Sequence, residues 1–86
     1  MLDDDLLERI TLDPHVMVGK PVIRGTRLTV EYILKLLASV ATITDILDEY
    51  HGLTLDDIRA CLLFATKALE TTTFMPLATT GGRWAY

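Results

Sequence analysis

The sequence predicts a mainly α fold, with three helices behind a short N-terminal β-ribbon. Three observations predict it. Apolar residues recur at helical spacing over residues 30–40, 43–50 and 55–69, and a threonine able to cap precedes each stretch. Residues 9–28 instead carry short β-branched pieces punctuated by Gly and Pro. The 86 residues leave room for one domain.

Residues 1–8 form an acidic arm, expected to be a short helical turn or a loose segment docked by Leu2, Leu6 and Leu7. Its aspartates Asp3, Asp4 and Asp5 read most simply as a solvated terminus; a metal-binding cluster would need carboxylates from distant elements. Residues 9–12 look like a short strand. Asp13-Pro14 breaks it, because proline fixes its own φ and has no N–H to donate. Residues 15–18 are expected to be a second extended piece, with a turn at Gly19. Residues 21–24 are extended again, since Val-Ile favours strand and the residue before a proline avoids the α region. Gly25 supplies a further turn or bulge. Such a ribbon is too short to be stable alone.

Thr29 is the expected N-cap of a first helix running to about Val40, with Val30, Ile33, Leu34, Leu37 and Ala38 on its apolar side. Thr42 starts a second, with Asp45 completing a capping box in place of the usual Glu. Ile43, Ile46, Leu47 and Tyr50 form its apolar side, and Gly52 is expected to end it in a left-handed conformation. Thr54 and Asp57 repeat the cap. The third helix carries a stripe of Leu55, Ile58, Cys61, Leu62, Ala65 and Leu69. Ala60, Leu63, Phe64 and Ala68 make it apolar over much of its circumference, which predicts burial on several sides and a partner. Residues 71–86 show no period and are expected to be a flexible tail whose aromatics order on binding.

Half the residues are hydrophobic, rich for so small a chain, so a second copy or another protein is expected to cover the surplus. The net charge is −4, which argues against a general nucleic-acid coat protein. Residues 9–29 are nonetheless positive, with Arg9, Lys20, Arg24 and Arg27 against Asp13, while residues 1–8 and 30–86 are acidic. The apolar runs fall far short of the roughly 20 residues that span a bilayer. The acidic start is the reverse of a signal peptide's, and a cytoplasmic location is expected. One cysteine and two distant histidines form no disulfide framework and no metal-ligand spacing, so no cofactor or metal is expected.

The run Asp13-Pro14, Gly19-Lys20-Pro21 and Arg24-Gly25-Thr26-Arg27, followed by Leu53-Thr54-Leu55-Asp56-Asp57-Ile58-Arg59-Ala60, closely resembles the prokaryotic domain-of-unknown-function family 433. The likeness covers roughly residues 9–70, leaving the acidic arm and the tail outside it. It implies a small helix-turn-helix, homeodomain-like fold with an N-terminal β element, usually dimeric. It also implies a VapB-like antitoxin role in type II toxin–antitoxin operons, beside PIN-like ribonuclease toxins.

Two functions are weighed on that basis. The first is an antitoxin that dimerises, binds a ribonuclease toxin and contacts its operator DNA. Asp56 and Asp57 would lie near phosphates if the last helix read DNA in the usual way, so the basic ribbon is the better surface. Lys20, Arg24 and Arg27 are the DNA-binding candidates, with Arg59 on the last helix. The alternative for the ribbon arginines is that Arg24 and Arg27 pair with carboxylates and fix the ribbon onto the helices. The second function is a protein-interaction module without DNA, in which an acidic chain covers a ribonuclease's basic surface. Phe74, Arg83, Trp84 and Tyr86 are its toxin-binding candidates, Arg83 or Trp84 reaching into a carboxylate-lined site. Catalysis is not expected: the histidines lack partners in sequence, Ser39 is in mid-helix, and Cys61 lies on a core stripe.

Overall fold

The computed structural model describes residues 3–70. Their order is α1 (Asp3–Leu7), β1 (Ile10–Thr11), a single 3-10 turn (Met17–Gly19), β2 (Val22–Ile23), α2 (Val30–Ala38), α3 (Ile43–Glu49) and α4 (Leu55–Glu70). The fold is mainly helical with a two-stranded antiparallel ribbon, as the sequence predicts. No helix among these residues is long and apolar enough to cross a membrane.

The ribbon pairs Ile10 with Ile23 and Thr11 with Val22. On its other side Val22 bridges Thr29, and the Val30 N–H donates to the Pro21 carbonyl at 2.9 Å. The chain therefore doubles back along β2 and runs straight into α2. Val22 and Ile23 are both buried, so this short ribbon is stabilised by the helices behind it.

The three threonine caps form as predicted. Thr29 Oγ1 accepts the Tyr32 N–H at 3.0 Å. Thr42 and Asp45 satisfy each other's backbone N–H groups, which holds the Asp45 carboxyl below its ordinary range. Thr54 and Asp57 do the same at the start of α4. The core these helices close on is Ile23, Val30, Ile33, Ile46, Leu53, Ile58 and Cys61. Each large aliphatic side chain there contributes about 1.5–3 kcal/mol relative to exposure. Residues 50–54 join α3 to α4, giving a helix–turn–helix unit.

Three expectations need correction. Residues 15–18 are not one extended piece: Val16 is extended, but Met17 and Val18 take φ of 50° and 56° ahead of Gly19 at 79°. A left-handed turn at L-residues costs about 1–2 kcal/mol per residue, and sequence pattern gives no reason to expect it. Gly52 is not left-handed; among the described glycines only Gly19 and Gly25 have positive φ. Tyr50 caps α3 in an extended conformation, and the Leu53 N–H returns to the Tyr50 carbonyl. The buried face of α4 is Asp57, Ile58, Ala60 and Cys61, so the expected stripe is buried at Ile58 and Cys61 but not along its leucine edge. Leu55, Leu62 and Leu69 of that stripe are 50%, 42% and 64% exposed. Of the two readings of the acidic arm, the docked helical turn is the one that forms: α1 packs on α4 and buries Leu6.

Candidate functional site

The basic ribbon turns at residues 23–26. The Thr26 N–H donates to the Ile23 carbonyl at 3.0 Å, and Gly25 takes φ +80° at the third position. A side chain is disfavoured there, and a glycine releases the strain. Thr26 Oγ1 locks the turn by donating to Ile23 O and accepting from Leu28 N. Arg24 and Arg27 flank the turn's Gly25 and Thr26, Arg24 exposed and Arg27 at the surface. Among the described residues neither side chain makes an ion pair that would tie the ribbon down. Arg9 does that instead. Its guanidinium reaches Asp57 at 3.1 Å and Asp56 at 3.8 Å.

The other two DNA-binding candidates stand apart from this tip. Lys20 lies at the opposite end of β2, about 13 Å of extended chain from Arg24. It pairs with Glu31 at 3.0 Å, and Lys35 reaches the same carboxylate at 3.4 Å. The two ammonium groups, Lys20 first, hold the Glu31 carboxyl below its ordinary range. Arg59 pairs with Asp56 at 3.3 Å on its own helix. The structure thus brings together Arg24 and Arg27 but not Lys20 or Arg59. Arg24 also lines a concavity of about 330 Å³ with Arg9, Asp5, Glu8 and Asp57. Its three carboxylates oppose phosphate approach from that side. The toxin-binding candidates Phe74, Arg83, Trp84 and Tyr86 lie outside the described residues.

Three features escaped the sequence. An apolar groove of about 580 Å³ runs between α2 and α4, lined chiefly by Pro21, Val30, Leu34, Phe64, Ala65 and Leu69. Helical periodicity identifies an apolar face but not whether a neighbour fills it. Tyr32 and Tyr50 share a hydroxyl–hydroxyl hydrogen bond of 2.7 Å with their rings edge to face, tying α2 to the end of α3. The hydrogen bond with Tyr32 favours the protonated Tyr50 phenol and raises its pKa. The third is the left-handed turn itself, which leaves Val18 91% exposed.

Cys61 is fully buried, and burial pushes its thiol up to about 12, the Asp57 charge adding to the rise. Thiolate chemistry is suppressed at such a site. Among the described residues no cluster of three or more His, Cys, Asp or Glu side chains is arranged to hold a metal ion.

The model of the family described as protein of unknown function (DUF433) matches residues 10–65. The crystal structure of a DUF433 member protein from Anabaena variabilis superposes with a TM-score of 0.70 at 28% sequence identity. That match takes in 78% of this chain and 66% of the other, so this chain spans just under two thirds of its solved relative. No curated protein matches significantly.

Proposed function

The chain belongs to the DUF433 family, and from that premise we propose that it is the antitoxin-like component of a type II toxin–antitoxin pair, working as a dimer that covers a PIN-like ribonuclease. The observation that carries this reading is the outer face of α4. Leu55 and Leu62 stand half-exposed on it, one heptad apart, with the Arg59–Asp56 pair between them. Apolar side chains in line on one helix face are suited to docking a protein surface. The exposed carboxylates of α3, Asp45, Asp48 and Glu49, add a negative surface that complements a ribonuclease's basic RNA-binding groove.

Co-expression with the product of the adjacent gene tests the proposal. The expected result is a neighbour that arrests growth alone, is silenced by this chain and co-purifies with it. A neighbour whose effect on growth is the same with and without this chain refutes it.

A second reading, operator binding, is favoured by one observation only: Arg24 and Arg27 stand together on a rigid turn without ion-pair partners among the described residues. A two-stranded ribbon fits the major groove, and a dimer would present two such tips. The acidic concavity beside Arg24 weighs against it, so protein contact is the primary role and DNA contact the secondary one.

A further inference from the structure

A pocket of about 350 Å³ opens between α2 and α3. Its apolar lining is Leu36, Ala41 and the buried Ile46. Tyr32 and Tyr50 line it too, joined by their 2.7 Å hydroxyl contact. One proton lies between the two phenol oxygens, so the pair keeps lone pairs that can accept a further hydrogen bond. Asp45 and Glu49 complete the lining, four residues apart on one face of α3. Like charges at that spacing repel and cost the helix stability.

Nothing in this chain offsets that repulsion. Among the described residues no lysine, arginine or histidine lines the pocket, and Glu49 makes no ion pair. The last turn of α3 carries no base, which leaves Asp48 and Glu49 uncompensated at the negative end of the helix dipole. Asp45 spends Oδ2 on the Thr42 N–H at 2.9 Å, and the capping bonds keep it ionised. The protein's other carboxylate sites are different. The concavity beside Arg24 holds Arg9 and Arg24 among its acids, and Glu31 is shared by Lys20 and Lys35.

We propose that this pocket receives an arginine side chain from a basic protein partner, the guanidinium meeting Asp45, Glu49 and the tyrosine pair. The arginine methylenes would cover Leu36, Ala41 and Ile46, as long cationic side chains cover apolar surface elsewhere. A bare metal ion has no use for that apolar lining, and the described residues hold no set of three ligands for one. Arginine suits the site better than lysine. Its planar fork engages two acceptors at once, packs against aromatic rings and gives up its water more readily. The site deepens the proposed function and rests on that reading only for the partner's identity as a ribonuclease.

An amide-resolved NMR titration of the full chain with a capped glycine–arginine–glycine tripeptide provides the test. Shifts are expected to centre on Tyr32, Ile46, Glu49 and Tyr50. Glu49→Gln is expected to weaken binding by about threefold, the worth of one exposed charge pair. Asp48→Asn removes the same charge from α3 outside the pocket and is expected to change binding much less. Both positions are exposed, so both variants should fold. The lysine tripeptide should bind more weakly than the arginine one, and the uncharged citrulline tripeptide should leave the pocket unmoved. Pocket resonances unmoved by millimolar arginine peptide overturn the inference. So do equal losses in the two variants, or a lysine or citrulline peptide that binds as tightly. These outcomes are read without the toxin. A neighbour silenced by this chain beside a pocket that ignores arginine overturns this inference alone. A pocket that takes arginine beside a neighbour indifferent to this chain sustains the inference and overturns the proposed function.

Discussion

The Arg9 guanidinium donates to the Asp57 carboxylate at 3.1 Å, across 48 residues of sequence. The other oxygen of that carboxylate accepts the Thr54 N–H at 3.0 Å. One aspartate therefore closes the cap of α4 and ties the start of the ribbon to the helix. Asp57 is 7% exposed, so losing its partners leaves a charge with little water to replace them.

A double-mutant cycle measures this joint. Arg9→Ala is expected to destabilise the fold by about 1–2 kcal/mol, the value of a partly exposed, charge-assisted hydrogen bond. Asp57→Ala should cost more, about 2–3 kcal/mol, because the Thr54 cap goes with it. Urea melts of the wild type, both single variants and the double variant should give a coupling of about 1 kcal/mol. Strict additivity would mean that the pair contributes nothing.

What the sequence made legible follows from range. The caps at Thr29, Thr42 and Thr54 act over three residues, so each could be read from a short window, and each forms. The ribbon's glycines were legible for the same reason at Gly19 and Gly25, though Gly52 shows that a glycine after a helix need not be left-handed. The Arg9–Asp57 tie was not legible, because it depends on where β1 meets α4. The buried face of α4 was read only in part, at Ile58 and Cys61, for a related reason. Its apolar residues occupy most of the circumference, so periodicity alone could not choose between the Leu55–Leu62–Leu69 line and the Ile58–Cys61 line. Packing against β1, α1, α2 and α3 made that choice.

The ion pairs separate the four DNA-binding candidates. If operator DNA is bound, Arg24→Ala and Arg27→Ala should each weaken it several-fold and reduce the steepness of its salt dependence. Lys20→Ala and Arg59→Ala should change it less than about twofold, since those cations are already neutralised by Glu31 and Asp56. Gel shifts at two salt concentrations would read this out. Equal losses at all four positions would contradict the assignment of the contact to the ribbon tip.

The two turn glycines should respond oppositely to a methyl group. Gly25 has φ +80° and open space where a Cβ would stand, so strain alone acts there, and Gly25→Ala is expected to destabilise by about 1 kcal/mol. Gly52 has equal space and no positive φ in the left-handed range. Gly52→Ala is expected to be neutral or to stabilise by up to about 1 kcal/mol, by restricting the unfolded chain. Thermal melts of the two variants decide it, and a stabilising Gly25→Ala would mean that the turn relaxes.

Cys61 gives the fold a defined alkaline limit. Its thiol ordinarily ionises near 9.0 and is pushed to about 12 by burial and by the Asp57 charge. The folded protein therefore keeps the thiol proton over a range in which the unfolded chain loses it. The unfolded state binds fewer protons in that window, so stability falls as pH rises. Cys61 should contribute its full stabilisation below about pH 9 and lose it progressively between about 9 and 12. Urea midpoints measured from about pH 8 to about 10.5 should drop more steeply for wild type than for Cys61→Ala, which has no thiol to titrate. The variant will be less stable at every pH, because it leaves a void among Ile33, Ile46 and Ile58, but that offset does not alter the slope. Thiol reagents should modify the native protein no faster than it unfolds. Parallel slopes together with rapid native-state labelling would show Cys61 to be accessible and ionisable in the fold.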